Sequence, residues 1–315
     1  MKPKKTLSSV AIAFAAVMTM VSCNQSDDIT PDGPQAIRFT AGIGEQAVAT
    51  PQTRAAGNNW HTNDAIGIFM MKNKETAVAA TYAGNKKFTT KWDDRFLPES
   101  GQEIYFPLDA DNHVDFIAYY PYTATEGLGM DSKIDISTVD QTKQREFDVM
   151  WAKATNGNGS GYNKNFNDNI PLEFNHRLAR LTMNCKFDAN TGISGFDSNS
   201  TVTIKGMNTA TTFAIRDGAI GTAATVTDIV ACKSSTTSGY EGTFNAIIVP
   251  ATYDAKSVSV EFYVNNEIYT WVMDACQFDS GNDYVYEVII TRTGVKATGT
   301  IFPWIIINEG PVYAE

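Results

Sequence analysis

Residues 178–187 read LARLTMNCKF, and they set the fold class. Ala179, Leu181, Met183, Cys185 and Phe187 fall on one side of an extended chain, and Arg180, Thr182, Asn184 and Lys186 on the other. That two-residue period belongs to a β-strand with one face in a core. Outward from it, the same reading predicts strands at Thr201–Lys205, Phe213–Arg216, Val226–Ala231, Thr243–Val249, Val258–Val264, Ile268–Met273, Tyr284–Thr293 and Thr298–Ile307. Toward the N-terminus it predicts Ile37–Ile43, Ala65–Met71 and the aromatic run Val114–Tyr120, which stops at Pro121. No stretch keeps an i, i+3, i+4 apolar period long enough for a helix.

Turn-forming residues separate these runs at Asn58-Asn59, Gly84-Asn85, Gly101, Asp109–Asn112 and Gly127–Gly129. The Gly- and Asn-rich stretch Asn156–Asn169 is the longest gap without an apolar period. Short strands at roughly 8–15-residue spacing argue for β-sandwiches. The expected organisation is all-β: a signal over 1–22, a polar tether over 23–36, one sandwich over 37–170 and a second over 171–315.

The first residues carry an address. Lys2, Lys4 and Lys5 precede an apolar run from Val10 to Val21, too short for the roughly 20 residues of a bilayer span but suited to a signal peptide. Met20-Val21-Ser22-Cys23 is similar to a bacterial lipobox, so Cys23 is expected to be acylated, palmitate included, and to become the mature N-terminus at the outer membrane. The competing reading is an ordinary signal peptide. Asp27 and Asp28 resemble the acidic export signals of surface lipoproteins. The tether is followed by the short strand Ile37–Ile43, with Ile37, Phe39, Ala41 and Ile43 on one face, and by the loop ATPQTRAAG, whose one basic residue is Arg54. Small, polar loops are where proteolytic nicking concentrates, so a cut by an Arg-specific protease between Arg54 and Ala55 is expected.

Composition bounds the function. Removing 22 residues from 315 leaves 293, and losing three lysines takes the net charge from −10 to −13. A chain this acidic is a poor partner for nucleic acid, whose phosphates need clustered Lys and Arg. Besides Cys23, only Cys185, Cys232 and Cys276 are present, enough for at most one disulfide and without metal-ligand spacing. Whether any two pair is open, and buried thiols are the plainer reading.

Candidate chemistry is sparse. His176, beside Arg177 at the head of a predicted strand, would serve as a general base only with an activated nucleophile, and none adjoins it. Packing or hydrogen bonding explains it better. His61 and His113 are isolated. Asp109, Asp111 and Asp115 space oxygen ligands somewhat like a calcium loop but lack the turn glycine and closing glutamate. Gly157, Gly159 and Gly161 follow no strand-to-helix transition, which a phosphate loop requires. Trp92, Trp151, Trp271 and Trp304, with Tyr119, Tyr120 and Tyr122, either stack on sugars or fill cores. No catalytic, cofactor or metal site is expected.

Four stretches together resemble the fimbrillin-like proteins, the type V pilus subunits. They are Ile37–Ile43 with Thr53-Arg54, VDFIAYYPY at 114–122, LEFNHRLARL at 172–181, and GNDYVYEVIITRTG…GTIFPW from Gly281 to Trp304. The resemblance implies two transthyretin-like sandwiches, lipoprotein export, removal of the first strand and assembly by strand exchange with the same or related subunits. The groove left by Ile37, Phe39, Ala41 and Ile43 would receive a strand, and the tail is the natural donor. Because Pro303 interrupts a ladder, the donor portion is expected at Trp304, Ile305, Ile306, Ile307, Val312 and Tyr313. The alternative for the tail is the last strand of its own sandwich. The alternative function is a monomeric adhesin or glycan-binding lipoprotein, or a tip subunit that does not polymerise.

Overall fold

Alternating side chains produce strands through most of the chain. The structure is a computed structural model that describes residues 36–44, 60–74, 81–90, 94–157 and 159–304. The first eight strands are β1 (Phe39–Ile43), β2 (Ala65–Lys72), β3 (Thr81–Thr90), β4 (Arg95–Pro98), β5 (Val114–Tyr120), β6 (Lys133–Ser137), β7 (Met150–Ala154) and β8 (Ile170–His176). Then come β9 (Ala179–Phe187), β10 (Thr201–Lys205), β11 (Asn208–Ala214), β12 (Ala224–Val226), β13 (Ile229–Val230), β14 (Cys232–Ser234) and β15 (Gly242–Ile248). The chain continues through β16 (Ala251–Tyr253), β17 (Ser259–Val264), β18 (Glu267–Val272), β19 (Cys276–Phe278), β20 (Asn282–Thr291) and β21 (Gly294–Pro303). One four-residue α-helix, Gln144–Phe147, follows a 3-10 turn at Gln141–Lys143. The all-β class is as the sequence indicates.

Seven N-terminal strands form one closed sheet in the order β1-β4-β3-β2-β5-β7-β8. Its interior holds Phe39, Ile66, Ile68, Phe88, Phe116, Leu172 and Phe174. Where alternation suggests two facing sheets, the described strands of this half close into a ring, and β1 is the strand that shuts it between β4 and β8. The second half is a sandwich. A five-stranded sheet, β14-β15-β9-β20-β21, and a four-stranded sheet, β13-β10-β17-β18, share a core that includes Leu181, Met183, Phe244, Val202, Val260 and Phe262.

A third core joins these two. Phe69, Met71, Ile117 and Tyr119 leave the outer face of the ring and meet Leu178, Phe213, Ile215, Ile247 and Trp304. This explains the continuous apolar runs of β2 and β5, which are covered on both faces, the usual cause of a run without alternation. Strand β6 strengthens the joint by pairing antiparallel with β11 of the second half.

Several boundaries differ from the sequence reading. Strand β8 completes the ring, so the expected division at 170/171 falls inside it, and the chain passes to the second core between His176 and Ala179. His176 therefore ends a strand instead of heading one. Gly84-Asn85 is no turn: both lie in β3, where a register shift against β2 accommodates them. The strand expected at Phe213–Arg216 runs from Asn208 to Ala214, because pairing with β6 fixes its register. The strand expected at Thr298–Ile307 runs from Gly294 to Pro303, set by its pairing with β20.

Strand β9 shows how the polar face of the opening motif is managed. Arg180, Thr182 and Asn184 are buried as well, since β9 is the central strand of five. Each finds a partner: Arg180 Nη2 donates to Asp283 at 2.6 Å, Thr182 Oγ1 to the same carboxylate at 2.9 Å, and Thr243 Oγ1 to Asn184 at 2.9 Å. Buried charge is tolerated here because it is paired.

Candidate functional site

The first strand and its seat form the site. Alternation puts Ile37, Phe39, Ala41 and Ile43 inside the ring, all buried, with Arg38 and Gly42 exposed. Strand β1 runs parallel to β8, pairing Phe39 with Ile170, Ala41 with Leu172 and Ile43 with Phe174. Against β4, among the described residues, it pairs Phe39 with Phe96 and Thr40 with Arg95, and Ala41 N donates to Asp94 O at 2.7 Å. Phe39 is held edge-on by Phe88 and Phe116, with ring centroids 5.2 and 5.1 Å away. Backbone bonds fasten the ends: Ile37 N donates to Ile104 O at 2.8 Å and Gly44 N to Phe174 O at 2.8 Å.

A clasp comes from beyond Arg54 in the chain. Trp60 Nε1 donates to the carbonyl oxygen of Ala41 at 2.5 Å, and the indole packs edge-on against Phe96, Tyr120 and Phe174. A tight turn aims it. His61 N donates to Asp64 Oδ2 at 2.7 Å, Asp64 N to His61 O at 2.9 Å, and Asn63 takes a left-handed φ of 71°. Asp64 is itself held by Arg145 at 2.5 Å and by the Tyr120 hydroxyl at 3.2 Å. Burial, with the nearby Asp64 charge adding to it, pushes the Tyr120 phenol well above its ordinary value. Trp60 carries no signal in its local pattern that marks it as a clasp, and sequence reading passes over it.

The seat of β1 opens beside the exit of the chain. Ile43, Trp60, Tyr120, Arg145, Arg180 and Trp304 line a cleft of about 510 Å³. Trp304 is buried and lies parallel on His176 at 3.8 Å, with the Arg180 guanidinium 4.9 Å from its ring on another contact. Its backbone N–H donates to Gly281 O at 2.7 Å. His176 Nδ1 bonds Asp148 at 2.8 Å, so this histidine packs and positions, as expected. The indole N–H of Trp304 and Nε2 of His176 have no partner. Gln141 completes the floor by imitating a strand: its side-chain oxygen accepts from Ile247 N at 2.8 Å and its Nε2 donates to Ile247 O at 2.9 Å.

Trp304, the first residue of the expected donor segment, is thus an anchor of the joint between the cores. Ile305, Ile306, Ile307, Val312 and Tyr313 lie outside the described residues, as do Cys23, Arg54, Ala55 and Trp92. The other candidates resolve into structure. Asp109 accepts from Asp111 N within its own turn, and Asp115 accepts from Asn73 Nδ2 at 2.8 Å. Among the described residues, no three His, Cys, Asp or Glu side chains converge as metal ligands. The N–H groups of Gly157, Gly159 and Gly161 bond within their own loop. Trp151 donates to Ile215 O at 2.8 Å and Trp271 packs on Tyr286, so both aromatic rings serve packing. Cys185, Cys232 and Cys276 are all free thiols.

Comparison with known proteins follows the same outline. A sequence model of the family described as fimbrillin-like matches residues 53–304. "Putative fimbrium subunit Fim1C" of Bacteroides uniformis is 30% identical over 311 residues, covering 95% of each chain. The crystal structure of a "putative cell adhesion protein" from Bacteroides uniformis is 26% identical, with a TM-score of 0.65 over 85% of this chain and 98% of that one. Another described in the same words, from Bacteroides ovatus, shares the fold at a TM-score of 0.68, with 23% identity over 88% of this chain and 100% of that one.

Proposed function

The chain belongs to the fimbrillin-like family, and from that premise we propose that it is a structural and adhesive subunit of a cell-surface fimbria. It is exported as a lipoprotein held at the outer membrane by acylated Cys23, cut after Arg54 by an Arg-specific protease, and assembled by strand exchange with other subunits. It acts without catalysis or cofactor.

The observation that carries this reading is the seating of β1. The strand fills a core slot with four apolar side chains, and among the described residues two Cα pairs and the bond from Ala41 N to Asp94 O hold it on the β4 side. In sequence, Arg54 lies between β1 and the rest of the ring, Trp60 included. The family model matches residues 53–304, and the alignment with the 30% identical relative reaches beyond it to take in β1. In this reading, β1 leaves the slot and 305–315 supplies a strand. With Trp304 anchored, the donor segment begins at Ile305. Refilling the slot with three large apolar side chains and one small one is worth on the order of 5–10 kcal/mol before ordering costs.

The test is cellular. Cys23→Ala should lose the membrane-bound precursor, and Arg54→Ala should accumulate uncut precursor and no fibres. Fibres formed by Arg54→Ala subunits that retain residues 36–44 would defeat the processing and exchange reading. A cut subunit that stays monomeric at high concentration would instead make it an adhesin or tip subunit.

A further inference from the structure

The slot under β1 is selective, and its selectivity bears on the partner. This rests on the strand-exchange reading above. The four inward positions are not equivalent. Phe39 occupies an aromatic slot between Phe88 and Phe116 and lies beside Ile170, while Ile43 lies beside Phe174. Between them Ala41 is fully buried, level with the fully buried Leu172 of β8. One small position thus sits among three large ones along the seat, and a close-packed interior has no spare volume there.

The clasp fixes the register. Trp60 remains with the body after a cut at Arg54, and its indole N–H meets the carbonyl of the residue at the small position. A strand shifted by two residues would still offer a carbonyl there but would bring a large side chain into the space of Ala41. A shift by one would turn its apolar face outward. We infer that this groove accepts a strand with the pattern large-x-aromatic-x-small-x-large, the small residue falling at the Ala41 position, and that the tail of a second copy of this chain is not that strand.

The second half follows from residues 304–315, WIIINEGPVYAE. Two placements put Gly310 in the small position. In one direction Asn308 then takes the place of Phe39, and in the other Asn308 takes the place of Ile43. Placing Ala314 there puts Gly310 and Val312 where Ile37 and Phe39 belong and leaves the aromatic slot underfilled. The apolar frame Ile305, Ile307 brings Glu309 into the small position. An uncompensated polar group in this core is costly. The partner seated in the groove is accordingly a strand of a different subunit, and this chain's tail serves a groove other than its own.

The full chain is nicked after Arg54 with trypsin and incubated with excess labelled peptide. Incorporation is read as label co-eluting with protein in size-exclusion chromatography. A peptide of residues 36–44 should enter. The same peptide with Ala41→Leu should enter about tenfold less or worse, the usual scale of overpacking. A peptide of residues 304–315 should not enter above background. Equal entry of the Ala41→Leu peptide, or entry of 304–315 as ready as that of 36–44, overturns this inference while leaving strand exchange standing. If even the 36–44 peptide fails to enter, the groove does not exchange strands, and both readings fall.

Discussion

Trp60 Nε1 lies 2.5 Å from the carbonyl oxygen of Ala41, joining residues on the two sides of Arg54 in the chain. The bond crosses the proposed cut, so it is a link that proteolysis does not sever. Whatever strand occupies the seat must offer a carbonyl to the same indole. The clasp therefore bears on how long the original strand is retained and on which strand replaces it.

Trp60→Phe keeps the edge-on packing against Phe96, Tyr120 and Phe174 and removes only the donor. The expected loss is about 1 kcal/mol. It should appear as faster hydrogen exchange at Ala41 and Gly44, with exchange in β9 and β20 unchanged. Equal rates at Ala41 would mean that the indole does not restrain the strand.

Trp304 gives a contrast between two substitutions. Trp304→Ala removes a ring stacked on His176 and should cost about 3–5 kcal/mol. Trp304→Phe keeps a ring there and deletes an indole N–H that has no partner, so it should cost less than about 1.5 kcal/mol. Chemical denaturation of both variants checks this, and similar losses would show that the N–H is satisfied after all.

Arg180 and Asp283 form a buried ion pair in the second core. Asp283→Ala strands the guanidinium and removes the partner of Thr182, and should cost about 3–5 kcal/mol. Replacing both, with Arg180→Met and Asp283→Leu, should recover most of the loss. A double variant no better than the single one would place the penalty in packing instead.

Alkali should loosen the joint between the cores. Burial pushes the Tyr119 phenol up to about 12, although bonds to Asn85 and Thr123 work against it. Below the unfolded value of about 10 neither state is ionised and the stabilisation is complete. As pH rises from there toward 12, the unfolded chain ionises first and stability falls by up to about 1.4 kcal/mol per pH unit. Tyr119→Phe should flatten the profile over that window in thermal melts. An unchanged slope would show that the phenol is not protected. Gly67 belongs to the same contact, since a Cβ there would lie 2.2 Å from the Tyr119 ring, and Gly67→Ala should be destabilising.

Much of this was legible because period-2 alternation survives wherever one strand face is polar. The strands at Val114–Tyr120 and Thr201–Lys205 match their expected bounds, and the family resemblance stands. The inward set Ile37, Phe39, Ala41 and Ile43 is as alternation indicates. What alternation cannot give is pairing. It does not say that β1 closes a ring, that β6 crosses to β11, or that the second face of β9 is covered. Those depend on contacts between residues far apart in the chain. Gly84-Asn85 misleads for a related reason, because a bulge inside a strand and a turn between strands use the same residues. Trp60 and Gln141 were invisible for another: each works by hydrogen-bonding a distant backbone, which leaves no local period.

The most direct measurement is the denatured intact mass of subunits taken from native fibres. The account predicts chains beginning at Ala55, with residues 36–44 absent from the fibre. Fibre subunits that still carry residues 36–44, joined to the chain or bound beside it, would contradict replacement of the first strand.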